Sequence, residues 1–245
     1  MACAGRPAEL RYIEPMNDAS REPSATPNVA LFDLDGTLTW RDTLHSFLFG
    51  YAARRPARWP RLWRLLPAVA GYLRHHDRGS LKSHVIRIVM GGDSRREIDA
   101  WAQDFVASLK ARHTFRPTAL AVLEGHRAAG DRLVLLSASP DLYVPRIGRL
   151  LGFEHTLCTE VKWQAEDGGE RLDGALLTPN RRGEEKSACL AWLRAQYPGL
   201  PVVAHGNSIS DLPHLVQADE AILVNGNGAA RRAAAKAAIP ISDWR

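Results

Sequence analysis

The run Asn28-Val-Ala-Leu-Phe-Asp33-Leu-Asp35-Gly-Thr-Leu-Thr39 constrains this chain more than any other stretch of it. Val29, Ala30, Leu31 and Phe32 are an unbroken apolar run, short and of the kind needed by a strand buried on both faces. Asp-Gly turn chemistry stops it, so a strand is expected over Asn28 to Leu34. Asp33 and Asp35 then fall at the strand's carboxyl end. Residues two apart share a face of a strand, and a turn here lets the second side chain swing toward the same cavity while its backbone carbonyl points inward. Two carboxylates so placed divide labour naturally, one attacking an electrophile and the other moving protons.

Further along, Arg132 to Leu136 reads as a second buried strand. It follows the helix stop at Ala129-Gly130 and leads into Ser137-Ala138-Ser139-Pro140. Strands are also expected at Pro201 to Ala204 and Ala221 to Val224, separated by helices near Glu184 to Gln196 and Asp211 to Gln217. Strands alternating with helices imply an α/β fold, a doubly wound parallel sheet of Rossmann-like type, whose ligands bind outside the strands' carboxyl ends. Between the first two strands, from about Thr43 to Gly125, the spacing turns helical, with Leu44, Phe47 and Leu48 in one set and Ile98, Trp101, Phe105 and Leu109 in another. The expected organisation is a flexible leader over 1–27, an α/β core from 28–41 and 126–245, and an all-helical cap inserted after the first strand over 42–125. The polar, glycine-containing stretch from Thr159 to Thr178 reads as an irregular pair of short strands at the sheet edge.

With 245 residues, 45% of them hydrophobic, the chain is long enough for one α/β core with a sizeable insertion. Cys3, Cys158 and Cys189 are far apart and odd in number, so neither a disulfide framework nor a zinc site is suggested, and a cytoplasmic setting fits. No stretch of eighteen apolar residues occurs; Leu62 to Leu73 is too short and contains Arg64 and Pro67. The net charge of +5 is uneven: residues 41–96 carry twelve Lys or Arg against three Asp or Glu. Such a segment suits an anionic substrate, a lipid headgroup surface or nucleic acid. No finger, helix-turn-helix or aromatic strand signature accompanies the charge, so nucleic acid is not an expected partner.

Four stretches together resemble the phosphoserine-phosphatase-like branch of the haloacid dehalogenase superfamily, across residues 28 to the end and most weakly in the helical insertion. They are Phe32-Asp33-Leu34-Asp35-Gly36-Thr37-Leu38-Thr39, Leu135-Leu136-Ser137-Ala138-Ser139-Pro140, Gly183-Glu184-Glu185-Lys186-Ser187 and His205-Gly206-Asn207-Ser208-Ile209-Ser210-Asp211. The resemblance implies a Mg2+-dependent phosphomonoester hydrolase acting through an aspartyl-phosphate. Asp33 would be the nucleophile and a magnesium ligand. Asp35 would protonate the leaving oxygen, then activate water, and lend its backbone carbonyl to the metal. Ser137 and the Ala138 backbone would hold the phosphate, joined by Lys186, which would also restrain Asp33. Asn207 and Asp211 would complete the magnesium site. Here the chain departs from the family pattern, which usually has aspartate at the position of Asn207; an amide oxygen still suits a hard cation but adds no negative charge.

The insertion, as a cap, is where substrate choice would lie. Asp42 stands where phosphoserine phosphatases carry a glutamate that contacts the substrate's amino end, and it serves equally well as a helix cap. The implied substrate is a small phosphorylated metabolite: phosphoserine, another phosphorylated amine or a phospholipid-derived phosphate. The alternative is a catalytically weakened binding or regulatory protein, motivated by Asn207. Arg54, Arg58, Arg61 and Arg64 beside Trp59, Trp63 and Leu66 give the cap a basic amphipathic character that suits peripheral membrane contact. Pro56, Pro60 and Pro67 interrupt it and favour a curled segment packed on its own core. The protein is expected to be a monomer or a homodimer.

Overall fold

A computed structural model describes residues 26–245; all but the last two residues of the expected leader lie outside the described residues. Strand β1 (Val29–Phe32) is followed by a tight turn over Leu34–Leu38 and helix α1 (Thr43–Ala53). A 3-10 segment (Pro56–Arg64) leads into α2 (Leu65–His75), α3 (Arg78–Met90), α4 (Arg95–Ala111) and α5 (Pro117–Ala128). Next come β2 (Arg132–Pro140), α6 (Val144–Leu150), β3 (His155–Thr159) and the hairpin β4 (Val161–Glu166) and β5 (Gly169–Leu176). The chain closes with α7 (Glu184–Gln196), β6 (Val202–Gly206), a 3-10 turn (Ile209–Asp211), α8 (Leu212–Gln217), β7 (Glu220–Val224), α9 (Gly228–Lys236) and β8 (Ile241–Ser242).

Six strands make one sheet in the order β3-β2-β1-β6-β7-β8. β1 is central and parallel to both neighbours, with Phe32 opposite Leu135 of β2 and His205 of β6. That position explains its composition, because all four of its residues are fully buried. The strand order runs outward one way through β2 and β3 and the other way through β6, β7 and β8. The switch point therefore lies between the carboxyl ends of β1 and β6, where open α/β sheets form their binding crevice.

Two compact units make up the described residues: one holds those up to Trp40, Phe115–Leu136 and Arg182–Arg245, the other Arg41–Thr114 and Ser137–Arg181. In the first, a buried polar chain runs from the residue before β1 to His205, near the carboxyl end of β6. Asp131 accepts from the Asn28 backbone N–H at 2.7 Å and pairs with His126 at 2.6 Å; His126 in turn meets His205 at 3.2 Å. Phe32 stacks on His205 with ring centroids 4.5 Å apart.

The second unit is built around Phe47, Trp101, Phe105 and Tyr143, whose rings pack on one another. The Tyr143 hydroxyl meets Thr43 Oγ1 at 2.9 Å. α4 begins with a capping box in which Ser94 and Glu97 satisfy each other's backbone N–H groups. From Thr43 to Gly125 the chain runs through helices joined by short links, as its spacing predicts, and the 3-10 segment Pro56–Arg64 that separates α1 from α2 holds two prolines. The stretch read as strands at the sheet edge is instead a separate antiparallel hairpin of two strands. It lies against α3 so closely that a Cβ on Gly174, at φ +87°, would sit 2.7 Å from the Arg87 Cα. Among the described residues no helix is long and apolar enough to cross a membrane.

Candidate active site

β1 delivers Asp33 with its backbone already fixed, since its N–H donates to the His205 carbonyl at 2.9 Å and extends the ladder one residue past the strand. The side chain is buried. The chain then turns at once, with Gly36 at φ +89°. A Cβ there would lie 1.9 Å from the Asn207 amide nitrogen, so only glycine lets the turn and the loop after β6 come this close. Thr37 Oγ1 donates to Asp33 Oδ2 at 3.2 Å, and the Thr39 N–H and hydroxyl both donate to the Leu34 carbonyl, closing the turn.

Lys186 enters from the first turn of α7 and is almost fully buried. Its ammonium donates to Asp33 Oδ1 at 2.5 Å and to Asp211 Oδ1 at 2.6 Å, bridging the two carboxylates. The other oxygen of Asp211 accepts from the Asn207 N–H at 3.1 Å, the Ser208 N–H at 2.9 Å and the Ser208 hydroxyl at 2.7 Å. Ser208 and Asp211 thus form the two halves of a capping box on the short 3-10 turn. Both Asp211 oxygens are occupied within the chain.

Burial works against every charge in this cluster, and neighbours decide which survive. For Lys186, burial is outweighed by Asp211 and Asp33, so its pKa rises above the ordinary lysine value. For Asp211, burial is outweighed by Lys186 and the hydrogen bonds that it accepts, which hold it at about 2. Asp33 goes the other way: burial pushes it up to about 7, with Lys186 only partly offsetting and the charges of Asp211 and Asp35 adding to the rise. The two carboxylates compete for one ammonium, and Asp211 has three further donors where Asp33 has the Thr37 hydroxyl. His214, buried beside them, is held down at about 3 by burial and the Lys186 charge, and is neutral at physiological pH.

Among the described residues no group of three His, Cys, Asp or Glu stands together as a metal site. The groups that the turn and the loop after β6 could offer a metal are nonetheless hard oxygens: the Asp33 carboxylate, the Asp35 backbone carbonyl and the side-chain oxygen of Asn207, whose amide group packs against Gly36. Such a set fits magnesium, which binds through one or two carboxylates and keeps waters and phosphate oxygens in its remaining positions. An extra cation is also what the under-compensated Asp33 lacks.

Asp33, Lys186, Asn207 and Asp211 come together in the first unit. Ser137 and Ala138 lie on β2 in the second; the Ser137 hydroxyl accepts from the Ser139 N–H at 3.1 Å, and the Ala138 carbonyl accepts from Lys82 Nζ at 2.5 Å and Thr159 Oγ1 at 2.7 Å. Asp42 caps α1, accepting from the Leu44 N–H at 2.8 Å and the His45 N–H at 3.3 Å. Arg181, close to Lys186 in sequence, donates its Nε–H to the Cys158 carbonyl at 2.7 Å. Thr37, Ser208 and His214 complete the cluster without having been singled out in the sequence; the Ser-x-x-Asp spacing of 208 and 211 was the available signal.

A lysine buried between two carboxylates thus stands at the switch point of a doubly wound sheet. The chain belongs to the haloacid dehalogenase-like hydrolase family, which it matches over residues 30–215. Protein CicA of Caulobacter vibrioides is 35% identical over 199 residues, covering 79% of this chain and 84% of that one. Probable phosphatase Rv3661 of Mycobacterium tuberculosis is 26% identical over 251 residues, covering 98% of this chain and 83% of its own. A solved phospho-aspartyl intermediate analogue of phosphoserine phosphatase covers 89% of this chain and 93% of its own with a TM-score of 0.60 at 14% identity, a likeness of fold.

Proposed function

We propose that this chain is a phosphatase that hydrolyses phosphomonoesters through an aspartyl-phosphate on Asp33. The observation that carries the reading is the Asp33–Lys186–Asp211 bridge at the switch point of a hydrolase-family sheet. The likeness to a probable phosphatase of Mycobacterium tuberculosis and to the fold of phosphoserine phosphatase supports it.

In this reading an Asp33 carboxylate oxygen attacks phosphorus and the bond to the ester oxygen breaks. Asp35 gives that departing oxygen a proton, then takes one from the water that attacks the phosphoryl group and frees Asp33. A phosphate dianion repels a carboxylate, so charge must be neutralised before the two meet. Lys186 supplies one positive charge, held in place by Asp211 rather than free to follow solvent. Asp33, Asp35 through its carbonyl, and Asn207 would hold magnesium, which when bound supplies the remaining neutralisation of the phosphoryl oxygens. Asp211, with both oxygens engaged, serves as the residue that positions Lys186 and the Asn207 loop. Ser137 and the backbone around Ala138 would take the phosphate's other oxygens, and Asp42 would face the substrate.

Asn207 favours one second reading, a family member with weakened metal affinity that binds without turnover. Phosphate release from phosphoserine, histidinol phosphate, sugar phosphates and lysophosphatidate, with magnesium titrated, separates the two. Magnesium-dependent turnover that is lost in Asp33→Asn supports the phosphatase and ranks the substrates. Absence of turnover at saturating magnesium, with the protein folded, supports the binding protein.

A further inference from the structure

The stretch from Pro56 to His75 has no buried residue in either its 3-10 segment or α2. Twenty consecutive ordered residues without one buried side chain need a reason, because this stretch is not polar. Leu62, Leu65, Ala68 and Tyr72 are half-buried, at a spacing that turns one side of it toward the rest of its unit. Leu66, Val69 and Leu73, at i, i+3 and i+7, make a second stripe on α2 that nothing in the unit covers. Leu66 is 71% exposed, Leu73 66% and Trp63, just before α2, 65%. Trp59 is 55% exposed and is tethered through its ring N–H to the Ala52 carbonyl at 3.0 Å.

The charge on this stretch is as one-sided as its apolar surface. Residues 54–78 hold seven arginines and one acid, Asp77. Arg54 pairs with Asp104, and Arg55 and Arg58 pair with the buried Asp93. Arg61, Arg64 and Arg74 are exposed, and their side chains have no hydrogen bond or ion pair among the described residues. Arg61 and Arg64 also line a cavity of about 580 Å3 together with Arg87 and Arg171. There Arg87 is already paired with Asp173 and Arg171 with Glu166, so Arg61 and Arg64 are its uncompensated charges.

We infer that this face docks on an anionic lipid bilayer, with Trp63, Leu66, Val69 and Leu73 entering the interface and Arg61, Arg64 and Arg74 on the headgroup phosphates. An apolar stripe beside unpaired arginines and tryptophans is what the boundary between acyl chains and headgroups accommodates, since it takes up apolar area and cation together. A second copy of this chain fits poorly, because a symmetric contact would set the same unpaired arginines against each other. The inference does not depend on the phosphatase reading.

Flotation of the full chain with vesicles of phosphatidylcholine alone and of phosphatidylcholine mixed with phosphatidylglycerol tests it. Binding to the mixed vesicles only, weakening as salt rises, is expected. Each arginine near such a surface contributes about fivefold, so Arg61→Ala with Arg64→Ala should weaken binding by roughly 25-fold. Trp63→Ser with Leu66→Ser should abolish it while the thermal transition followed by circular dichroism stays that of the wild type. If that pair does not fold, Leu73→Ser alone serves and should lower binding. Equal binding to both kinds of vesicle, binding to neither, or binding that ignores these substitutions would overturn the inference. So would self-association of the wild type that Trp63→Ser with Leu66→Ser removes, which would assign the face to a second copy.

Discussion

Replacing Lys186 with methionine keeps the length of the side chain and removes the one cation that Asp33 and Asp211 share at 2.5 and 2.6 Å. Taking one partner out of a buried ion pair costs roughly 3–5 kcal/mol, because the charge left behind is uncompensated. The lower part of that range is expected here. Asp211 keeps the Asn207 and Ser208 donors on its other oxygen, and Asp33, already pushed up to about 7, relieves itself by holding a proton. That relief sets the sign of the pH dependence. With a folded pKa above its unfolded value, Asp33 contributes stability at low pH that is lost as pH rises through the folded value. In the variant that value moves up further, so between about pH 7 and the new value the variant keeps losing about 1.4 kcal/mol per pH unit while the wild type no longer does. Urea denaturation followed by circular dichroism, with chelator present, should therefore show a deficit of about 3 kcal/mol near pH 7 that widens toward pH 9. A deficit under about 1 kcal/mol, or one that is the same at pH 6 and pH 9, would refute the view that Lys186 neutralises a buried pair.

Gly36→Ala should lower the melting temperature by roughly 2–8 °C, since a left-handed alanine costs about 1–2 kcal/mol before its Cβ displaces Asn207, and it should depress turnover as well; differential scanning calorimetry and a phosphatase assay check both. Asn207→Asp should tighten the apparent magnesium affinity by about tenfold or more, as a unit charge near a dication at an effective dielectric of 20 is worth several kcal/mol before desolvation; an unchanged magnesium titration would remove Asn207 from the metal site. Magnesium affinity should itself rise about tenfold per pH unit up to about pH 7 and then level off, because the ion must displace the proton that burial leaves on Asp33; calorimetric titrations in buffers of different ionisation enthalpy should show proton release below pH 7.

Much of the fold is legible because its signals are local. β1 reads as a strand since a central parallel strand is apolar on both faces, and Glu184–Gln196 is helical over the range that its spacing gives. β2 runs on to Pro140, past the expected end at Leu136, because the serines there carry the extended backbone beyond the apolar run. β8 is two residues long and β3 reads His-Thr-Leu-Cys-Thr, so neither has a pattern for periodicity to detect. The hairpin of β4 and β5 was visible as strands, but its pairing away from the main sheet depends on Gly174 meeting the backbone of Arg87, 87 positions earlier in the chain.

The candidate site divides in the same way. The turn chemistry of Asp33 to Gly36 is written in consecutive residues, as is the Ser208–Asp211 capping box. What spacing cannot give is that one ammonium serves Asp33 and Asp211 at once, because Lys186 is 153 residues from the first and 25 from the second. Nor can it give the outcome of their competition, which is set by how many other donors each carboxylate meets in the fold. Asp42 shows the limit of a single position: an acid before a helix suits a substrate contact and a cap, and the two N–H groups that it accepts from at the start of α1 do not decide between one role and both.

The phosphatase reading requires that Asp33 carry the phosphoryl group. Its most direct test is mass spectrometry of acid-quenched turnover mixtures of the wild type, Asp35→Asn and Asp33→Asn, digested and read at the peptide holding Asp33. One added phosphoryl group on Asp33 is predicted in the wild type and, because hydrolysis is slowed about 100-fold or more without the acid–base group, in greater proportion relative to turnover in Asp35→Asn. No adduct and no turnover are predicted for Asp33→Asn. Turnover by Asp33→Asn, or an Asp35→Asn enzyme that turns over with its Asp33 peptide never modified, would contradict it.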